Sequence, residues 1–326
     1  MKAEILSLLR ETGGYISGQE LCGRFGVTRA AVWKVIKGLQ QEGYGIEAVT
    51  GRGYRLVSQP DIFSEEELKS RMHTKWAGRE LIFYEKTGST NIQAKLLAEE
   101  GAPSGTLVVA EQQTQGRGRR GRTWASPAGR NLYFTLLLKP DFAPDKASML
   151  TLVMALAVQG AVTELCGIEV GIKWPNDVVI NGKKVTGILT EMSVQGEYIQ
   201  HVVIGVGVNV KKQEFVPELE GRAASLEQES GRPVSRAALL EKIMEHFEAD
   251  YALFIRKLNL SLLTDAYNAV LVNCGREVRV LDPAGEYTGQ AEGINEKGEL
   301  CVHTADGKLK KVYAGEVSVR GVYGYV

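Results

Sequence analysis

A chain of 326 residues exceeds the ~100–200 residues of one typical domain, so two or three domains are expected. Hydrophobic residues at 44% and charged residues at 24% are those of a globular protein and exclude a disordered, collagenous or membrane-spanning chain. Lys+Arg and Asp+Glu both number 39, so any nucleic-acid contact must come from a local patch, not from net charge.

The first residues, MKAEILSLLRETGG, lack the basic, apolar, small-residue order of a signal peptide. The longest apolar stretch, Met149 to Val158, is well short of the ~20 residues that cross a bilayer. Cys22, Cys166, Cys274 and Cys301 lie far apart with no C-x-x-C pair, which reads as free thiols in a reducing compartment. A cytoplasmic protein with no membrane contact is the expectation.

Residues 1–60 predict a winged helix-turn-helix. Ile5, Leu6, Leu8 and Leu9 recur at helical spacing, and Ser17 with Glu20 opens a second short helix closed by Gly26. A third helix, TRAAVWKVIKGLQQEG, buries Val32, Val35, Ile36 and Leu39 and presents Arg29, Lys34 and Lys37 elsewhere. The strands IEAVT and YRLV follow, joined by a turn with Arg52 at its tip. Eight basic against five acidic side chains in this segment make Thr28, Arg29, Ala30, Lys34, Lys37 and Arg52 the candidate DNA contacts; the plainer reading is a small helical interaction domain.

Gln59-Pro60-Asp61 reads as a linker into a segment spanning 61–272. There the strand-like runs outnumber the helix-like ones and often follow one another directly, favouring a mixed or antiparallel sheet over a Rossmann fold. From 273 to 326 short strands up to VSVR, separated by Pro283-Ala284-Gly285, Glu296-Lys297-Gly298 and Asp306-Gly307, predict a small β-barrel. The chain as a whole is thus expected to be an α+β multidomain protein.

Three segments carry candidate chemistry. Gly116-Arg117-Gly118-Arg119-Arg120-Gly121-Arg122 follows a strand; its glycines admit a ligand close to the backbone and its arginine forks suit phosphate, although such a run also fits a flexible basic loop or an RNA-binding tract. Lys173-Trp174-Pro175-Asn176-Asp177 precedes a strand, an Asn181-Gly182 hairpin turn and Lys183-Lys184, so cations converge on the Asp177 carboxylate. Asp177 suits a magnesium ion bound together with substrate phosphates, or caps a turn. Gly88-Ser89-Thr90-Asn91 opens a helix, where free amides and hydroxyls favour polar or anionic groups.

Together G-R-G-R-R-G-R, K-W-P-N-D, G-S-T-N, K-x-x-G-I-L and G-V-G-V-N resemble the bifunctional biotin protein ligases and biotin operon repressors, over essentially the whole chain. The resemblance implies a central domain related to class II aminoacyl-tRNA synthetases and lipoate ligases, and a C-terminal SH3-like β-barrel. It also implies a ligase that forms biotinyl-5′-AMP from biotin and ATP with Mg2+, then biotinylates a lysine of a biotin carboxyl carrier protein, that of acetyl-CoA carboxylase or pyruvate carboxylase.

By the same resemblance Lys184, Arg119 and Asp177 are catalytic, with Asp177 beside the metal. Ser89, Thr90, Asn91, Gln113, Gly116, Arg117, Gly118, Arg119, Lys184 and Gly187 bind biotin. Arg119, Arg120, Arg122, Trp124, Asn176, Asp177, Lys184 and Asn209 bind the nucleotide. Gln112 competes with Gln113, and Lys183 with Lys184, for register. His73, His201, His246 and His303 have no role in this chemistry, which needs no protein nucleophile. The adenylate is implied to act as corepressor, promoting a homodimer on operator DNA. A repressor that senses a ligand without turnover, and a ligase for another acid such as lipoate, are the competing readings.

Overall fold

The structure is a computed structural model and describes residues 1–282, 285–313 and 318–321. Pro283 and Ala284 of the expected turn, and Val317 of the last expected strand, lie outside the described residues. The chain divides into two compact units, Met1–Met72 and His73 onward.

In the first unit, helices α1 (Lys2–Thr12), α2 (Gly18–Phe25) and α3 (Arg29–Gln41) precede an antiparallel hairpin of β1 (Gly45–Val49) and β2 (Gly53–Ser58). The caps are local: Ser17 Oγ accepts from the Glu20 amide at 3.1 Å, and Thr28 Oγ1 from the Ala31 amide at 3.3 Å. Gly26, at φ 64, ends α2 in the left-handed conformation. One face of each helix is buried, Ile5, Leu6 and Leu9 from α1 meeting Leu21, Val32, Ile36 and Leu39.

The unit continues past residue 60 to Met72 because a further helix, α4 (Glu65–Arg71), packs back on α1. Its anchor is Glu67, whose side chain is 2% exposed. Arg10 Nη2 lies 3.0 Å from Oε2, Arg71 Nε donates to Oε1, and the Tyr44 hydroxyl donates to Oε2 at 2.6 Å. Burial and the Glu67 carboxylate together raise the Tyr44 phenol above its ordinary range, so it stays a proton donor.

The second unit opens with β3 (Leu81–Thr87), α5 (Thr90–Glu99), β4 (Leu107–Gln113), β5 (Leu132–Leu138) and α6 (Met149–Cys166). Strands β6 (Gly171–Lys173), β7 (Asp177–Ile180), β8 (Lys183–Gln195) and β9 (Tyr198–Val208) follow, then α7 (Leu226–Ser230), α8 (Arg236–Lys257) and α9 (Thr264–Ala269). The seven strands form one mixed sheet in the order β3-β4-β5-β9-β8-β7-β6. Only β3 and β4, joined through α5, run parallel. Every residue of β5 is buried, so the sheet is covered on both faces at its centre. Ala94 and Ala98 of α5 lie over Val108, Leu137 and Val203, while α6 packs on β6 to β9 and on α8.

The segment Pro144–Cys166 is long and apolar enough to cross a membrane, but 72% of its apolar window is buried, as for a core helix. A five-stranded antiparallel sheet, in the order β13-β12-β11-β10-β14, completes the unit. Its strands are β10 (Glu277–Leu281), β11 (Tyr287–Ile294), β12 (Leu300–His303), β13 (Leu309–Val312) and β14 (Ser318–Gly321). Val278, Val280, Ala291, Leu300 and Val302 are buried in it.

Burial pushes the Asp250 carboxyl on α8 up to about 6 from 3.8, with His246 opposing. Because the folded state holds this proton more tightly than the unfolded chain, stability falls as pH rises from about 4 to about 6 and the cost persists above that. Asp250→Asn is therefore expected to stabilise the unit at pH 7.5, by at most about 3 kcal/mol, and to be neutral near pH 3.5. Thermal midpoints at the two pH values check this; an equal effect at both would contradict it.

Candidate active site

Four segments meet on one face of the mixed sheet. The first is the start of α5. Ser89 is the N-cap residue, 2% exposed, and its hydroxyl makes no cap hydrogen bond. Thr90 donates through its amide at 2.9 Å and its hydroxyl at 3.1 Å to Gln113 Oε1, while Gln113 Nε2 donates to Ser126 Oγ at 3.0 Å. Gln113, at the end of β4, is therefore the glutamine of its pair that faces the cleft.

Asn91 is held entirely by protein. Its Nδ2 donates to Leu189 O at 3.3 Å and to Glu191 Oε2 at 2.8 Å, and its Oδ1 accepts from the buried Thr135 hydroxyl at 2.7 Å. Both amide protons being used, Asn91 lines the cleft mainly as a brace for Thr90. Burial raises Glu191, but hydrogen bonds from Lys95 and Asn91 more than offset this and hold it below the ordinary carboxylate range.

The second segment is the Arg-Gly loop. It folds back on itself: Trp124 N donates to Gly116 O at 2.9 Å and Gly118 N to Arg122 O at 2.7 Å, with Arg120 at φ 58 at its tip. Arg119 Nη1 donates to Asn176 Oδ1 at 2.9 Å, and burial pulls the Arg119 guanidinium down while Asp177 opposes. Arg120 and Arg122 are exposed.

The third segment is Lys173 to Asp177, which carries a cis Trp174–Pro175 bond. Trp174 is 1% exposed and donates through Nε1 to Gly298 O at 3.1 Å. Asn176 exchanges bonds with Ile188, through Ile188 N to Asn176 O at 3.0 Å and Asn176 Nδ2 to Ile188 O at 3.1 Å. Burial pulls the Lys173 ammonium down to about 8 against the attraction of Asp177. Asn181 and Gly182, at φ 50 and 74, make the hairpin turn. The two lysines beyond it diverge: Lys183 Nζ lies 3.0 Å from Glu229, whereas Lys184 Nζ reaches Asp177 Oδ1 at 2.6 Å and sits 5.4 Å over the Trp124 ring.

The fourth segment is the floor. Gly187 of β8 pairs with Gly207 of β9, and a Cβ on Gly207 would come within 2.4 Å of Trp124 Nε1. The indole lies flat across this glycine pair because neither residue has a side chain. At Gly205 a Cβ would stand 2.0 Å from Asn91 Oδ1. Gly205→Ala should therefore displace Asn91 and cost about 1–3 kcal/mol, read as a lower unfolding midpoint of this unit; an unchanged midpoint would show that Asn91 is not pinned there.

The cleft so formed is lined by Ser89, Thr90, Asn91, Gln113, Arg117, Gly118, Arg119, Trp124, Asn176, Lys184 and Gly187 among the expected residues. Gly116, Arg120, Arg122, Asp177 and Asn209 are not in its lining; Asn209 instead donates to Ala224 O at 3.2 Å. Gly205, Val206, Gly207 and Leu189 also line it, and sequence reasoning did not single out their part. A second reading of G-V-G-V-N finds the signal: alternating glycines in a strand mark close approach. Among the described residues no group of three or more His, Cys, Asp or Glu forms a metal cage, so a magnesium ion there would rest on Asp177 and on ligand oxygens.

In the first unit Thr28, Arg29, Ala30, Lys34, Lys37 and Arg52 are all exposed. The Arg52 guanidinium stacks 4.6 Å from the Tyr15 ring, which holds the tip of the hairpin.

Comparison with known proteins agrees segment by segment. Residues 83–209 match the biotin/lipoate A/B protein ligase family, residues 2–55 an HTH domain and residues 274–320 the biotin protein ligase C-terminal domain. The bifunctional ligase/repressor BirA of Bacillus subtilis is 38% identical over 324 residues, 98% of each chain. The biotin–[acetyl-CoA-carboxylase] ligase of Paracoccus denitrificans is 34% identical over 72% of this chain and 99% of its own. The structure of biotin protein ligase from Aquifex aeolicus in complex with biotin and ATP is similar with a TM-score of 0.66 at 33% identity, covering 74% of this chain and 99% of that one. The chain belongs to the biotin protein ligase family, in the group that joins the ligase to an N-terminal helix-turn-helix domain.

Proposed function

We propose that this protein is an ATP-dependent biotin protein ligase of the cytoplasm and a biotinyl-5′-AMP-dependent repressor. The observation that carries the reading is the polarity of the cleft. Its lining joins the neutral hydrogen-bonding residues Ser89, Thr90 and Gln113 with the cations Arg117, Arg119 and Lys184. Biotin has the matching shape, a neutral ureido head and a carboxylate tail. Lipoate would instead bring a dithiolane, which offers the buried Ser89 hydroxyl no hydrogen-bond partner.

The chemistry proceeds in two displacements. A biotin carboxylate oxygen attacks the α-phosphorus of ATP, an O–P bond forms, and the bond to the β-phosphate breaks to release pyrophosphate. The amine of a carrier lysine then attacks the acyl carbon, forming the amide; AMP leaves and the amine proton passes to solvent.

Lys184 and Arg119 stabilise charge that develops at the phosphoryl centre. Trp124 supplies an aromatic face for the adenine, and the exposed Arg120 and Arg122 suit the phosphates. Asp177 would hold a magnesium ion together with the ATP phosphates, and the ion would neutralise phosphate charge. As long as apo carrier is available the adenylate is consumed; once the carrier is saturated it persists, and the liganded protein pairs on a two-fold operator. A coupling of ~1–3 kcal/mol between ligand and dimer is enough for such a switch.

Incubating the protein with labelled biotin, ATP and an apo biotin carrier domain tests the transferase half. Label on a single lysine with one AMP released per label is expected, and labelling that survives replacement of that lysine by arginine would contradict the reading.

A further inference from the structure

Three large hydrophobic side chains in the first unit are exposed, Met1, Trp33 and Val57, and of these Trp33 alone lies on α3. Its indole is 56% exposed on the flank of α3, beside the stripe of Val32, Ile36 and Leu39, which are buried to 2% or less. Arg29 and Ala30 precede it by about one helical turn, Lys34 is adjacent, and Lys37 follows one turn on with Nζ 5.9 Å from the ring centroid. Arg29 is itself fixed, donating to Gln19 Oε1 of α2 at 3.0 Å. A large flat apolar group thus stands beside the Lys37 ammonium on a helix that also carries Arg29 and Lys34, one turn from the small Ala30 that lets a partner approach.

We propose that Trp33 is a specificity determinant of the operator contact and reads thymine 5-methyl groups in the major groove. The inference rests on the reading of the first unit as a DNA-binding domain. Arg29, Lys34 and Lys37 fit a phosphate-lined partner by charge. An indole face accepts no hydrogen bond, and the thymine methyl is the one apolar group that the major groove displays. Burying the indole against it removes exposed apolar surface from water, which a cationic side chain at the same position does not do.

The test uses the full-length protein with biotin, ATP and magnesium. A duplex is first selected from a random pool, and deoxyuridine is then substituted for thymidine one position at a time, deleting only the methyl. Wild-type protein is expected to lose affinity on the order of tenfold at one or two positions. Trp33→Ala is expected to bind the thymidine duplex on the order of tenfold more weakly, to be indifferent to uridine at those positions, and to keep the wild-type salt dependence. Lys34→Ala should do the converse, lowering the salt slope by about 1 and keeping the discrimination. Trp33→Phe, which retains an aromatic face, should fall between, and unchanged thermal midpoints show that the variants are folded. Indifference of the wild type to every uridine, or discrimination that survives in Trp33→Ala, would overturn the inference. Failure of the wild type to enrich any duplex would instead overturn the DNA-binding reading and the inference with it.

Discussion

Replacing Lys184 by methionine is expected to lower the rate of biotin-dependent ATP–pyrophosphate exchange by roughly 10²–10³-fold, with the fold intact. Methionine keeps the length and apolar stem, so packing against Trp124 survives, but the charge 2.6 Å from Asp177 is lost. In the proposed reaction that charge acts with Arg119 on the phosphoryl centre, in a cleft where water is partly excluded. The neighbouring lysine is the control. Lys183 is committed to Glu229 at 3.0 Å, so Lys183→Met should change the exchange rate less than about threefold. Equal losses in the two variants would mean that Lys184 has no special place in the chemistry.

Glu67→Ala should destabilise the first unit by about 3–5 kcal/mol, because a buried carboxylate that holds Arg10 and Arg71 is removed and both guanidinium groups keep their burial. The Tyr44 hydroxyl loses its acceptor at the same time. Since this carboxylate ties α4 to α1 alongside the Arg10–Ser70 hydrogen bonds, the helix should loosen and DNA affinity should fall. Differential scanning calorimetry of the full chain is expected to show an early transition assigned to Met1–Met72. Pyrophosphate exchange should continue at a temperature above that transition and below the second. A single transition unchanged from wild type would show that the cluster contributes little.

These two predictions also mark where the sequence was legible and where it was not. The Asn181-Gly182 turn, the cap at Thr28 and the Arg-Gly loop are local signals, and their structures follow from a few adjacent residues. Helix α4 is only seven residues and was read as part of the start of the second domain. It exists because Glu67 finds Arg10 and Tyr44, residues distant in sequence, and no periodicity reveals that. The parallel β3–β4 pair within an otherwise antiparallel sheet likewise depends on α5 packing over the centre of the sheet.

At the site, the segments were visible because glycines and charged residues cluster in them, but the assignment within each segment was not. Lys183 and Lys184 are distinguished by the bulge at Val178/Val179 and by a partner on α7, neither of which is written near them. Asn91 reads as a ligand contact from its place at a helix start, yet its amide is used by Leu189 and Glu191 on a strand about a hundred residues on. The spacing places Val32, Val35, Ile36 and Leu39 on the buried side of α3 without Trp33, and the structure adds that the indole is 56% exposed.

The most direct test of the central claim is ATP–pyrophosphate exchange by the purified protein with magnesium, comparing biotin, lipoate and no added acid. The account predicts exchange that depends on biotin, with lipoate at the level of the blank. Exchange with none of the three, in folded protein that binds biotin, would contradict it and leave a repressor that senses biotin without activating it.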